Sequence, residues 1–168
     1  VELFDGRSLP PLVVDADALN ILAQIDQWWT RVPSPAILTP HPGEMSRLTH
    51  LSMKELEADR LGAAIEFAKK WNHVVVLKGA FTVIAAPDDR SISLPFANPA
   101  LATAGSGDVL AGTIAAMWAQ GLAAYEAAIC GAYLHGAAGE LVRRDIGSAG
   151  ALAGDLLERL PTTLKQLR

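Results

Sequence analysis

A chain of 168 residues, 51% hydrophobic and 19% charged, carries enough apolar material to build a packed core and too much to stay disordered. Its net charge of −4, with no run of Lys and Arg, excludes a nucleic-acid partner held by a basic surface, and no stretch approaches the ~18 uninterrupted apolar residues of a membrane helix. The lone Cys130, in an alanine-rich apolar segment, excludes an internal disulfide and a cysteine-built zinc site and reads as a small core residue. The opening VELFDGRS lacks the charged and apolar regions of a secretory signal, so a cytoplasmic setting is expected.

Residues 12–15 (LVVD) follow two prolines and read as a buried strand ending in acid. At the carboxyl end of such a strand Asp15 or Asp17 faces the crevice where open α/β sheets take ligands, and either could meet a metal or a phosphate; a helix cap at Asp17 is an equal alternative. An amphipathic helix is expected over 19–29. Residues 36–39 (AILT) form a second short strand, which Pro40-His41-Pro42-Gly43-Glu44 turns into a helix starting near Glu44. His41 and Glu44 can face one ligand across that turn, against the plainer alternative of a structural histidine and a glutamate that favours the helix dipole. One surface helix is expected over 53–71, with Leu56, Leu61, Ala64, Ile65 and Ala68 at helical spacing. Residues 73–79 (HVVVLKG) are the clearest strand and 81–86 the next, with Gly79-Ala80 as the turn between them and an edge strand at 91–94. Lys78, ending an apolar strand, either escapes to solvent or reaches an anion.

Residues 98–112 (NPALATAGSGDVLAG) open a glycine-rich turn directly into an apolar helix, expected to be buried over 107–120. A helix start presents backbone N–H groups and partial positive charge, so the amides of Gly105, Ser106 and Gly107 form a seat for a phosphate or another anion. Asp108 in the first turn is then too near the phosphate to be a comfortable neighbour, unless it takes the proton from a hydroxyl attacking that phosphate. The alternative is a glycine-rich N-cap with Asp108 merely favouring the dipole. The Walker, dinucleotide and nucleophilic-serine spacings are all missing. A further helix over 124–144 is dense in alanine and glycine and holds His135 as a packing residue; 151–160 and 162–167 read as closing helices. Without repeats or a linker, 1–168 is expected to be a single domain.

Taken together and in order, VVDADALN, ILTPHPGE, VVVLKGAFTVIAAPD and NPALATAGSGDVLAG, followed by AYLHGAAGELV, resemble the ADP/ATP-dependent NAD(P)H-hydrate dehydratases of the ribokinase-like superfamily. The resemblance implies an α/β fold with a central, mostly parallel sheet flanked by helices, and an enzyme that repairs hydrated NADH or NADPH with ADP or ATP as co-substrate and Mg2+. It implies that His41 and Asp108 contact the hydrated nicotinamide, with Asp108 as the catalytic base. Lys78, Gly79, Ala80, Phe81, Thr82 and Gly107 are implied to contact the nucleotide, and Glu44 to support Mg2+ through water. It implies a homo-oligomer with no nucleic-acid or membrane partner. The family usually has glycine at positions 97 and 100, where this chain has Ala97 and Ala100, and a small residue in place of Phe81. The family domain also begins well before Val1, so the chain corresponds to the domain without its amino-terminal part and is expected to be inactive or aggregation-prone alone. Two other functions fit the residues: a kinase of a small alcohol or vitamin precursor, and a non-catalytic nucleotide-binding subunit or inert fragment.

Overall fold

Three short apolar runs, Leu12–Val14 (β1), Ala36–Leu38 (β2) and Val74–Leu77 (β3), lie side by side and parallel. Val13 stands opposite Ile37, and Leu38 opposite Val75. Every residue of β2 and β3 is buried, as in parallel strands covered on both faces. From β3 the chain turns back into Val83–Ala85 (β4) and then Ser91–Ser93 (β5), both antiparallel to the strand before, so the sheet is mixed with order β1-β2-β3-β4-β5. The polar, partly exposed β5 occupies one edge.

The computed structural model describes residues 9–167. They divide into two compact units, one running to Gly79 and including Val83–Ser93, the other made of Ala80–Thr82 and the chain from Leu94 onward. The first unit holds the sheet and the helices Asp17–Leu22 (α1), Pro42–Thr49 (α2), Met53–Ala58 (α3) and Arg60–Trp71 (α4). α4 packs on β3 and β4, and its Phe67 and Trp71 meet Trp28 in an aromatic cluster with neighbouring ring centroids 5.0 Å apart.

Two helices of the first unit differ from expectation. The one over 19–29 stops at Leu22; Gln27 takes a left-handed φ of 52° and a 3-10 turn at Trp28–Thr30 follows. Trp28 is thereby buried against Trp71, which outweighs continued helical hydrogen bonding. The helix over 53–71 breaks at Asp59, whose backbone leaves helical geometry (φ −148°, ψ 75°) while its carboxylate accepts from the Gly62 N–H at 2.7 Å. An aspartate that can cap a new helix competes with the helix it would otherwise continue.

The second unit holds Ser106–Ala119 (α5), Ala124–Asp145 (α6) and Ala153–Gln166 (α7), with α6 packed against both others. Ala100, Val109, Ala138, Val142, Ala151 and Leu156 form one core cluster. α5 is not buried all round: Val109, Leu110, Thr113, Ile114 and Met117 face inward, while Asp108, Gly112, Ala115 and Ala116 are exposed. Its low charge comes from Ala and Gly, which suit a surface as well as a core. The exposed side borders an apolar cavity of about 600 Å³ whose lining includes Asp108, Gly112, Ala116, Leu157 and Leu164. The two expected closing helices are one, continuous through Pro161; Leu156 before it and Thr163 after it are both buried, so packing on either side holds the helix across the missing N–H. Among the described residues no helix is long and apolar enough to cross a membrane.

Candidate functional site

In the first unit the parallel arrangement of β1, β2 and β3 brings the residues that follow them to one end of the sheet, where ligands of open α/β sheets bind. Lys78 reaches across that end. Its Nζ lies 2.6 Å from Asp15 Oδ1 and 3.7 Å from Glu44 Oε2, so it neither escapes to solvent nor waits unpaired for an anion. The three side chains are 18%, 13% and 5% exposed, a depth at which a charge needs its partners. Of the two acids after β1, Asp15 joins this cluster and Asp17 lies exposed in the first turn of α1.

Glu44 also serves the backbone. Its Oε2 accepts from the His41 N–H at 2.8 Å, while His41 Nδ1 accepts from the N–H groups of Gly43 (3.0 Å) and Glu44 (3.3 Å), a capping box that starts α2 after β2. With Nδ1 accepting, the ring proton sits on Nε2, which lies 3.4 Å from Glu44 Oε1. The plainer alternative, a structural histidine with a glutamate serving the helix start, is what this capping box shows, and Glu44 also lies near Lys78. Among the described residues no group of three or more His, Cys, Asp or Glu side chains is placed to hold a metal ion.

The backbone around Lys78 is fixed from two sides. Its N–H donates to Pro40 O at 2.8 Å, and its carbonyl accepts from Arg60 Nη2 at 3.1 Å. Gly79 then turns with φ 143°, and a Cβ there would lie 2.8 Å from both terminal nitrogens of Arg60, so the guanidinium occupies space that only glycine leaves open. Arg60 sits in a stretch that reads as surface scaffold, and no sequence signal marks its role. Ala16, just after Asp15, has φ 51° and ψ −124°, a conformation that costs a non-glycine residue about 1–3 kcal/mol and gathers at functional sites.

In the second unit Phe81 takes a left-handed φ of 54°, with its N–H donating to Phe96 O at 2.7 Å and its ring more than half exposed; Thr82 O accepts from Leu94 N–H at 2.9 Å. At the α5 start Gly105 is the N-cap with φ 85° and, having no side chain, caps nothing. The Ser106 N–H already donates to Thr103 O at 3.2 Å and its hydroxyl to Leu101 O, which leaves the amides of Gly107 and Asp108 as the first-turn donors for an anion. The buried His135, expected only to pack, donates Nε2–H to Ser106 O at 2.9 Å and so pins the loop. Asp108 is exposed and, among the described residues, takes no part in capping α5. Burial pushes the Cys130 thiol up, as suits an unreactive packing residue.

Residues 3–162 match the NAD(P)H-hydrate dehydratase family. The bifunctional NAD(P)H-hydrate repair enzyme of Moorella thermoacetica is 51% identical over 157 residues, covering 94% of this chain and 30% of the relative. The ADP-dependent (S)-NAD(P)H-hydrate dehydratase of Neisseria meningitidis is 44% identical over 149 residues, covering 87% and 50%. The crystal structure of the ADP/ATP-dependent NAD(P)H-hydrate dehydratase of Bacillus subtilis, co-crystallized with ATP/Mg2+, matches with a TM-score of 0.84 at 38% identity, over 94% of this chain and 55% of that one. The chain thus spans about half, or less, of the length of the relatives it matches. Its fold is ribokinase-like, and with the family match running through nearly all of its residues, the chain belongs to the NAD(P)H-hydrate dehydratase family.

Proposed function

We propose that the chain carries phosphoryl- and proton-transfer residues of a nucleotide-dependent NAD(P)H-hydrate dehydratase, acting on hydrated NADH or NADPH with ADP or ATP. The observation that carries this reading is the α5 start, where an uncapped glycine turn offers first-turn amides and an exposed Asp108 stands beside them without capping the helix. In the proposed reaction Asp108 takes the proton of the ring hydroxyl as that oxygen attacks the terminal phosphorus, and the bond from phosphorus to the departing nucleotide breaks. The Gly105, Gly107 and Asp108 amides stabilise the charge that gathers on the phosphoryl oxygens. Phosphate is a better leaving group than hydroxide. The ring nitrogen's lone pair expels it, and loss of a proton from the adjacent ring carbon restores the double bond of the dihydronicotinamide.

His41, half exposed at the start of α2, is proposed to contact the hydrated nicotinamide. Nucleotide contacts are proposed for Lys78 and Gly79 in the first unit, and for Ala80, Phe81, Thr82 and Gly107 in the second. Mg2+, when bound, neutralises phosphate charge; Glu44 suits it only through water, since its Oε2 already accepts from His41 N–H and faces Lys78, and Mg2+ usually keeps several of its waters.

The test is to supply the enzyme that contains these residues with hydrated NADH or NADPH, Mg2+ and ADP or ATP and to follow the return of dihydronicotinamide absorbance. Nucleotide-dependent return is expected. Phosphorylated product accumulating without that return would instead favour a kinase of a small alcohol, and neither signal from a protein that binds nucleotide would favour a non-catalytic subunit.

A further inference from the structure

Lys78 follows β3 and Asp15 follows β1, so their contact spans two strand spacings, roughly 10 Å across the end of the sheet. A flexible lysine beside a glycine turn has every entropic reason to swing into solvent. Here it lies mostly buried, drawn over the ends of β1 and β2 by a 2.6 Å contact to Asp15. Glu44, 3.7 Å away, is committed to the α2 capping box and stays where that box puts it. The Asp15 carboxylate has no comparable commitment among the described residues, since α1 receives no side-chain cap and the carboxylate is hydrogen-bonded to Lys78. The strained Ala16 sits directly behind it, with φ 51° where glycine would be at ease, and sets the direction in which the chain leaves Asp15.

We propose that Asp15 is a positioning residue, which holds the Lys78 ammonium beside Glu44 and so sets nucleotide affinity through Lys78. This rests on the reading of Lys78 as a nucleotide contact. A carboxylate that served only to compete with phosphate for the lysine would have the opposite effect. The sign of the change when Asp15 loses its charge therefore decides the matter.

The test measures binding of MgADP by calorimetry to the full chain and to Asp15→Asn, Asp15→Glu, Lys78→Met and the Asp15→Asn/Lys78→Met double variant, with a nucleotide-free melting temperature for each. Asp15→Asn is expected to weaken binding by about tenfold, the effect of a lost hydrogen bond between charged groups, and Asp15→Glu, which keeps the charge on a longer stem, by less. Lys78→Met is expected to weaken binding at least as much as Asp15→Asn, and the double variant no more than Lys78→Met alone. Unchanged or tighter binding in Asp15→Asn overturns the proposal, whatever its melting temperature, and so does an additive loss in the double variant. If Asp15→Asn does not fold, affinity in Asp15→Glu equal to that of Lys78→Met overturns it, and an intermediate value supports it. Unaltered affinity in Lys78→Met, or no binding by the unaltered chain, would instead remove the nucleotide reading itself.

Discussion

Asp108 stands exposed in the first turn of α5, where the amides of a helix start would otherwise welcome an anion. In the enzyme that the proposed reading describes, Asp108→Asn keeps the shape and cannot accept the hydroxyl proton, so turnover should fall by about 10²-fold or more. Nucleotide affinity should hold or improve, since a negative charge near bound phosphate is removed. The melting temperature should barely move, because the carboxylate caps nothing; near-normal turnover with lowered stability would return Asp108 to a structural role. His73 makes a prediction of a different kind. It is buried in the first unit, with Nδ1 accepting from the Ala36 N–H at 3.3 Å and its ring stacked toward Trp28. Burial pushes its pKa below the ordinary histidine value of about 6.5. The unfolded chain then binds the proton more readily than the folded one, so this stability is fully present above about pH 6.5 and is lost as pH falls toward the lowered folded value. Melting temperature should therefore be flat in this respect above that pH and decline below it, and His73→Gln should remove that part of the slope.

Between elements, the spacing of α5 and α6 is set at Gly131. A Cβ there would lie 2.7 Å from the Ile114 Cα and 2.8 Å from its backbone nitrogen, and backbone atoms cannot turn aside as a side chain can. Gly131→Ala should thus destabilise by about 1–3 kcal/mol through overpacking, although alanine is the better helix former. At Gly112, on the exposed side of the same α5, nothing lies within 4 Å of a new Cβ, so Gly112→Ala should stabilise by up to about 1 kcal/mol. Thermal or urea melts of the two variants should move in opposite directions. The density of alanine and glycine in 124–144 is legible as a sign of close packing, yet the sequence alone does not say which glycine meets a backbone. The break at Asp59 was hidden for a related reason: the hydrophobic spacing runs through it, and only the bond from Gly62 N–H to its carboxylate shows that a second helix starts there.

At the scale of the whole molecule, nucleotide binding to the folded chain alone should raise its stability by mass action, by about 2.7 kcal/mol at a hundredfold excess over Kd. A melting temperature that rises with MgADP concentration, less steeply in Lys78→Met, is the expected result. Much of the framework was legible beforehand. Apolar, largely β-branched runs bounded by Pro and Gly mark β1 to β4, and the glycine turn before an apolar helix marks the α5 start, because such signals act over a few neighbouring residues. Membership of the family was likewise written in four ordered motifs. What only the tertiary structure decided is which distant groups meet. Lys78 pairs with Asp15, 63 residues away, and His135 donates to Ser106 O, 29 residues away. The first pairing depends on strand order and parallel register, the second on how α6 lies against α5. Local periodicity constrains neither, because each is chosen by the packing of whole elements.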